Sequence, residues 1–251
     1  MLISISFGEA VWQVSKILEA QENSLDAHPD KPRVYASPSI LERRRRILKE
    51  TRLMVAEDGY EFFSVRKLCQ RAEVAQRTLY NSFQNKDRLI AIALREAIKD
   101  LHRKEKYNTE RNSVAGILDR AITAHRHNFR VPNYAKAVTS IYFGSNTPTD
   151  VRDSLRDISI QRTREWLAHM NANGHVEPWV DEAKFADIVA DAQYAVINDW
   201  AQGRVSNEGY IFCLVETMVL LISGATRGPV REEAAQIMTE MRATGMLPKF
   251  S

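Results

Sequence analysis

The amino-acid sequence predicts an all-helical protein. Apolar residues recur with a period near 3.6 from residue 40 to the end of the chain, as they do along one face of an α-helix. No Asn-Gly or Asp-Gly hairpin joins two alternating apolar runs, so the usual signals of paired strands are missing. Hydrophobic residues make up 44% of the 251 residues, which is enough to form a substantial core.

Charge divides the chain into two parts. Residues 40–106 hold 17 Lys and Arg against 10 Asp and Glu, whereas residues 107–251 hold 15 against 17. The net charge of +3 conceals this difference. A basic part beside a mildly acidic one predicts that the first part meets a polyanion and that the second has another role.

Residues 1–39 are predicted to form an N-terminal extension that ends in a proline-rich linker. Three prolines lie within residues 28–39, after a weakly amphipathic stretch. That stretch fits neither a signal peptide nor a membrane span, because acidic and basic residues interrupt it. It could pack on the body, stay loose or reflect a start codon placed too far upstream, and its role stays open.

The first predicted helix begins at Ser39 and ends at Gly59. Ser39 and Glu42 have the spacing of a capping box, and a glycine commonly ends a helix. The apolar positions of this helix predict a core-facing side that consists of Ile40, Ile47, Leu48 and Val55.

Three further helices follow closely. Ser64 is placed to cap a short helix over Val65–Ala72, and after a three-residue turn another short helix covers Gln76–Phe83. Asn85 then caps a longer helix. Two short helices joined by a tight turn and supported by a longer one predict a helix-turn-helix, whose second member enters the major groove of DNA.

The stretch DGYEFFSVRKLCQRAEVAQRTLYNSFQNKDRLI, residues 58–90, resembles the DNA-binding segment of the TetR family of bacterial transcriptional regulators. The most specific part is Thr78-Leu79-Tyr80 followed by Phe83 and Asn85-Lys86. The resemblance covers about residues 40–95. It implies a helix-turn-helix domain over residues 40–88 and a helical domain for regulation, effector binding and dimerisation over residues 89–251.

The resemblance also implies which side chains read DNA bases. Arg66 and Gln76, at the starts of the two short helices, match positions that reach base edges. Arginine pairs with guanine and glutamine with adenine through two hydrogen bonds in the major groove. Arg77 and Asn81 face the same way and are candidates for base or phosphate contacts.

Four more residues match positions that hold the family's proteins on the DNA backbone. Thr78 and Tyr80 carry hydroxyl groups that contact backbone or bases. Lys86 and Ser64 lie at helix N-termini, where free N–H groups favour a phosphate.

Three features of the segment weaken or complicate this picture. The family commonly has glycine in the turn and a serine or threonine cap before the third helix, where this chain has Glu73 and Ala75. Each departure costs on the order of 1 kcal/mol. The run of four arginines at 43–46 reads as a solvated helix face or as a source of phosphate contacts.

The second part of the chain is predicted to form the dimer interface. A long helix after Asp181 ends near Gly203, and the core-facing stripe predicted for it consists of Phe185, Ile188, Val189, Ala192, Val196 and Trp200. The next helix, capped by Ser206, is apolar on nearly every side. A symmetric partner covers such a helix economically, so residues 181–224 are the candidate interface of a homodimer. The alternative is that both helices lie in a monomer's core.

A pocket for a small hydrophobic or aromatic effector is expected in the same part. The candidate lining residues are Phe129, Tyr142, Phe143, Trp166, Tyr194 and Asn198. Core packing is the alternative for the first four, and a solvated helix face for the last two.

The sequence predicts no enzyme, no metal and no other cofactor. It lacks GxSxG, P-loop and GxGxxG spacing, and the two cysteines lie far apart. The resemblance to the TetR family implies a cytoplasmic, homodimeric repressor that an effector releases from a palindromic operator. An activator, a regulator that answers a protein, and a helical adaptor that has lost operator binding are the alternatives.

Overall fold

The computed structural model describes residues 37–104, 106–107 and 109–250. The first 36 residues, and with them most of the predicted extension, lie outside the described residues. The described part contains ten α-helices and one 3₁₀ turn but no β-strand. The helices are α1 (Pro38–Asp58), α2 (Val65–Arg71), α3 (Gln76–Phe83), α4 (Lys86–Lys104), α5 (Val114–Arg126), α6 (Pro132–Tyr142), α7 (Thr149–Ala172), α8 (Glu182–Ala201), α9 (Asn207–Ala225) and α10 (Pro229–Thr244).

The chain divides into two compact units. The first contains the described residues up to Asp100 together with Arg130–Val151, and the second contains Leu101–Phe129 and the residues from Arg152 onward. The first unit therefore includes α6, which packs on α1. The boundary expected at residues 88 and 89 stays a prediction, and it lies inside the first turn of α4.

Helix α1 begins earlier than the sequence predicts. Ser37 precedes the first turn and Pro38 occupies its start, a position that suits the fixed φ of proline. The predicted capping box at Ser39 is therefore wrong, because Ser39 already lies within the helix. The predicted burial of Ile40 is also wrong: its side chain is 50% exposed, since residues 37–43 all lie on the surface.

The core of the first unit forms around the short helices. The side chains of Leu68, Leu79 and Phe83 are fully buried, together with Met54 and Val55 of α1. Helix α6 adds polar ties to α1, because the Asn133 amide donates to the Ala56 carbonyl at 2.8 Å and the Tyr134 hydroxyl donates to the Arg52 carbonyl at 3.1 Å. Helix α2 thus packs on α1, which α6 supports, and α3 packs on α2.

In the second unit, α9 is the central helix. It packs against α5, α8 and α10, and it buries eight side chains. Its length and composition would also allow it to cross a membrane, which is weak evidence because a buried core helix meets the same criteria. The predicted helix is confirmed, with Ser206 accepting a hydrogen bond from the Gly209 amide.

Helix α8 turns to the core a face that is shifted from the predicted one. Some members of the predicted stripe are not buried, whereas three are buried as expected: Phe185, Val189 and Trp200. Ile188 was expected inside but is 52% exposed, whereas Tyr194 was expected on a solvated face and is buried. The Tyr194 hydroxyl donates to the Leu155 carbonyl at 2.9 Å, so its polar atom is satisfied inside the core. A stripe chosen without tyrosine misplaces such a face.

A buried polar and aromatic cluster joins α5, α8 and α9. The Tyr210 hydroxyl lies 2.8 Å from His125 Nδ1 and accepts a hydrogen bond from Asn128 at 2.7 Å. Its ring stacks on Trp200 with centroids 4.8 Å apart, and Phe129 meets both rings edge-on. Burial raises the pKa of Tyr210, so the hydroxyl remains a neutral partner for both side chains.

Loss of the Tyr210 hydroxyl is expected to destabilise the fold. Tyr210→Phe keeps the stacked ring but removes the partner that His125 and Asn128 share, at a cost of about 1–3 kcal/mol. Denaturant unfolding measures this loss. Tyr80→Phe removes an exposed hydroxyl and serves as the control, with an expected change within about 0.5 kcal/mol; equal effects of the two changes would contradict the assignment.

Candidate DNA-binding site

Helix α3 presents a row of polar side chains because its other side is fixed in the core. Leu79 and Phe83 are completely buried. Gln76, Arg77, Tyr80 and Asn81 are exposed, and at 100° per residue they span an arc of about 140° that begins beside the direction of Phe83. The predicted bounds of this helix are confirmed, and Thr78 lies half-buried at the edge of the row.

Helix α2 is held beside α3 by ion pairs to α1. The Arg71 guanidinium donates to Glu50 at 2.7 Å and to Glu57 at 2.6 Å, and the Lys67 ammonium lies 2.7 Å from Asp58. The hydrogen bond that Arg71 donates to Glu57 is the main cause that raises the pKa of Arg71. These contacts leave Arg66 exposed at the N-terminal end of α2.

Ser64 caps α2 as predicted. Its hydroxyl accepts a hydrogen bond from the Lys67 amide at 3.3 Å, which satisfies one of the free N–H groups of the first turn. The contact between Ser64 and a phosphate stays a prediction.

The turn between α2 and α3 has both of the unfavourable features that the sequence predicts. Glu73 has a φ of 50°, in the left-handed region that favours glycine, and Ala75 provides no side-chain cap for α3. Backbone hydrogen bonds hold the turn instead, since the Val74 amide donates to the Cys69 carbonyl at 3.0 Å. The turn is therefore formed in spite of its strain.

Lys86 has a structural partner that the sequence did not reveal. Its ammonium donates to the Tyr60 carbonyl at 2.8 Å and lies 4.2 Å from the centre of the Tyr60 ring. The Tyr60 hydroxyl in turn donates to Asp87 at 2.8 Å, and burial together with this bond raises the pKa of Tyr60 to about 12. Lys86 thus ties the segment before α2 to the N-terminus of α4.

Two members of the arginine run at 43–46 also have roles inside the first unit. Arg46 donates to the Ala72 carbonyl at 2.8 Å and so satisfies an acceptor at the end of α2. The Arg44 guanidinium lies 4.9 Å from the centre of the Phe83 ring. Neither contact has a signal in the sequence, because both join residues that are far apart along the chain.

Comparison with known proteins identifies the family. A family model described as "Bacterial regulatory proteins, tetR family" matches residues 47–92. The HTH-type transcriptional repressor KstR of Mycobacterium tuberculosis is 30% identical over 176 residues, which cover 66% of this chain and 74% of the relative. The chain belongs to the TetR family. It is a DNA-binding transcriptional regulator, as the helix-turn-helix geometry also indicates.

Solved structures of TetR-family proteins share the fold. A TetR transcriptional regulator from Rhodococcus sp. RHA1 has a TM-score of 0.56 at 20% identity and covers 72% of this chain and 95% of its own. FadR from Bacillus subtilis, in complex with stearoyl-CoA, has a TM-score of 0.53 at 19% identity and covers 71% and 97%. The predicted TetR-type architecture is confirmed.

The six effector candidates of this TetR-family chain lie in different surroundings. Tyr142 is buried edge-on to Phe143, which is 51% exposed, and both belong to the first unit. In the second unit, Phe129 joins the Tyr210 cluster. Asn198 is half-buried, and Tyr194 lies in the core. Trp166 is the one candidate that lines a described cavity, and a role of any of the six in effector binding stays a prediction.

Replacement of Glu73 by glycine is expected to stabilise this TetR-family domain. Glu73→Gly relieves the left-handed backbone conformation, which predicts a gain of about 0.5–1 kcal/mol in the free energy of unfolding. Glu73→Ala removes the same charge but keeps a Cβ, so it should leave the strain in place. Thermal and denaturant unfolding compare the two variants, and equal gains would assign the effect to charge.

Proposed function

We propose that this chain is a homodimeric repressor that reads a palindromic operator with α3 and is released by a small-molecule effector in the cytoplasm. The observation that carries the proposal is the exposed row Gln76, Arg77, Tyr80 and Asn81, on a helix that the buried Leu79 and Phe83 anchor in the core. The curated relative KstR is a repressor, which supports repression as the outcome of binding.

Gln76 of the row and Arg66 of α2 are the proposed base readers. Both are exposed at the N-terminal ends of their helices, the ends that approach base edges in a helix-turn-helix. Arg77 and Asn81 are proposed for base or phosphate contacts, and Thr78, Tyr80 and Ser64 for contacts that set the register. Lys86 is also proposed to bind phosphate, since an ammonium has three donors and the bond to Tyr60 uses one.

The proposed dimer forms through residues 181–224. In the single chain, Ile188 of α8 and Leu220 of α9 are 52% and 60% exposed, and Phe212 is half-buried. These large apolar side chains lie on the two helices that also supply Tyr194, Leu214 and Val215 to the core. Two recognition helices are needed because one short helix makes too few base contacts for useful specificity.

An effector response is supported by the fold rather than by a bound ligand. The structure of FadR from Bacillus subtilis is a complex with stearoyl-CoA. We propose that this chain likewise responds to a small molecule with a hydrophobic or aromatic part. Because such a ligand binds the DNA-binding state of the dimer and the released state with different affinities, it shifts the population between them.

Replacement of a base reader is expected to change sequence preference more than total affinity. Gln76→Ala and Arg66→Ala should each lose about 1–3 kcal/mol of discrimination at one or two positions in each half-site. Selection from random duplexes followed by competition binding measures the preference. Ser82→Ala, which alters an exposed residue of α3 whose hydroxyl donates to the Thr78 carbonyl, is the matched control.

If these variants weaken binding to every sequence equally, the two residues contact phosphate and the readout assignment is wrong.

The salt dependence of binding separates a regulator from an adaptor that has lost operator binding. A dimer with six or more phosphate contacts should lose roughly 10³-fold in affinity between 50 and 200 mM salt. Weak binding without a preferred duplex would favour the adaptor.

A charge placed on the exposed apolar residues of α8 and α9 is expected to break the dimer. Ile188→Glu and Leu220→Glu should each raise the dimer dissociation constant by about tenfold or more, because an unpaired carboxylate is costly to bury. Sedimentation equilibrium measures the constant. Met246→Glu changes a side chain that is 56% exposed outside the proposed interface and should have no effect.

If Ile188→Glu and Leu220→Glu dimerise as the unchanged chain does, residues 181–224 are not the interface. If the unchanged chain is a monomer at micromolar concentration, the dimer proposal itself fails.

A further inference from the structure

The second unit contains a cavity whose wall is rich in arginine, here called the arginine cavity. Its volume is about 280 Å³. Three arginines and one glutamate supply its charged groups, and Ile117 and Trp166 supply buried apolar surface. The complete lining is Tyr107, Arg111, Asn112, Ile117, Arg120, Arg162, Glu165 and Trp166.

The cavity is shaped by the segment before α5, which lies directly on that helix. A Cβ atom at Gly116 would meet the Glu110 carbonyl oxygen at 1.8 Å, so only glycine permits this close approach. The Trp166 indole N–H donates to the Ser113 carbonyl at 3.2 Å and fixes the same segment to α7. The cavity is therefore a built feature of the unit and not a gap between loose side chains.

The charges of the cavity are incompletely balanced. Arg111 forms its ion pair with Glu165, the one acid of the lining. Arg120 donates to the Thr109 hydroxyl at 3.1 Å and to the Gly116 carbonyl at 2.8 Å. The Thr109 hydroxyl in turn donates to Asp119 at 2.9 Å, and that carboxylate offsets part of the Arg120 charge. Arg162 makes a long contact of 3.5 Å with the Arg120 carbonyl.

Burial is the main cause that lowers the pKa of Arg120; Tyr107 and Asp119 raise it, and the neighbouring guanidinium groups of Arg162 and Arg111 lower it. With Asp119 counted beside Glu165, three guanidinium groups face two carboxylates. A bound anion would offset both the repulsion among the guanidinium groups and the loss of hydration. Arginine is well suited to this task, because its planar fork donates two parallel hydrogen bonds to a carboxylate or phosphate.

We propose that the arginine cavity binds a small organic anion, with its carboxylate or phosphate held by Arg120 and Arg162 and its apolar part against Ile117 and Trp166. The volume lies just below the roughly 300 Å³ at which pockets for drug-sized ligands begin, so the ligand is compact. That this anion is the effector rests on the function proposed above, whereas the existence of the site does not.

Isothermal titration of the full chain tests the site without DNA. Benzoate and phenyl phosphate are the anionic probes, and benzamide is the uncharged probe that matches benzoate in shape. At least one anion is expected to bind about tenfold more tightly than benzamide, since a hydrogen bond to a charged group contributes that much or more. Preference for one of the two anions decides between carboxylate and phosphate.

Arg162→Gln is the main variant, because Arg162 carries few of the contacts that hold the fold. It is expected to weaken anion binding about tenfold or more and to leave benzamide unaffected. Arg164→Gln is the matched control, since Arg164 lies on the same helix outside the cavity and is half exposed. If Arg162→Gln fails to fold, Arg162→Lys keeps the charge but loses the planar fork and should weaken binding by a smaller factor.

Three results would overturn the proposal: no binding of either anion at millimolar concentration, equal affinity for both anions and benzamide, or unchanged anion affinity in the folded Arg162 variant. A DNA-binding assay then separates the site from its role. Release of DNA by the bound anion in the unchanged chain, but not in Arg162→Gln, supports the effector role. If the anion binds but does not release DNA, the effector role is wrong and the anion site stands. If the chain prefers no DNA sequence at all, the proposed function is wrong and the anion site again stands.

Discussion

The complete burial of Leu79 and Phe83 is the constraint on which the DNA-binding site depends. An eight-residue helix is too short to be stable by itself, so α3 forms only because the first unit encloses one side of it. The same burial decides which residues face outward. A polar residue moved by one position would point about 100° away. Packing therefore decides which side chains of α3 are exposed and can serve as the proposed base readers.

Ion pairs and carbonyl contacts then stabilise a turn that the local sequence disfavours. Glu73 and Ala75 each remove about 1 kcal/mol relative to the usual glycine and hydroxyl cap. Arg71 binds two glutamates of α1, and Arg46 reaches the carbonyl of Ala72, the residue before the turn. The half-buried ion pairs fix α2 to α1 without involving the turn itself. The helix-turn-helix therefore forms although the turn is strained.

The sequence was sufficient for the features that are local. It predicted the bounds of α3, the caps at Ser64 and Asn85, and the strained position of Glu73, because each depends on residues within a few positions. It was insufficient for contacts between distant residues. The bond of Lys86 to Tyr60 and the inward side of α8 follow from tertiary packing, which can bury a hydroxyl such as that of Tyr194 wherever a carbonyl accepts from it.

Arginine side chains have different roles in the two units. The exposure of each side chain and the charge of its hydrogen-bond partners distinguish these roles. Arg71 is paired with carboxylates, and a paired guanidinium has little free energy to gain from a new anion. Arg66 is exposed and hydrated, so it can exchange water for a base edge at low cost. Arg120 and Arg162 differ from both, since they line a cavity and their hydrogen bonds go to neutral oxygens. Asp119 offsets only part of the positive charge around Arg120, so an incoming anion can relieve the repulsion from Arg162 and Arg111. The same sequence signal, a lone arginine on a helix, precedes all three arrangements.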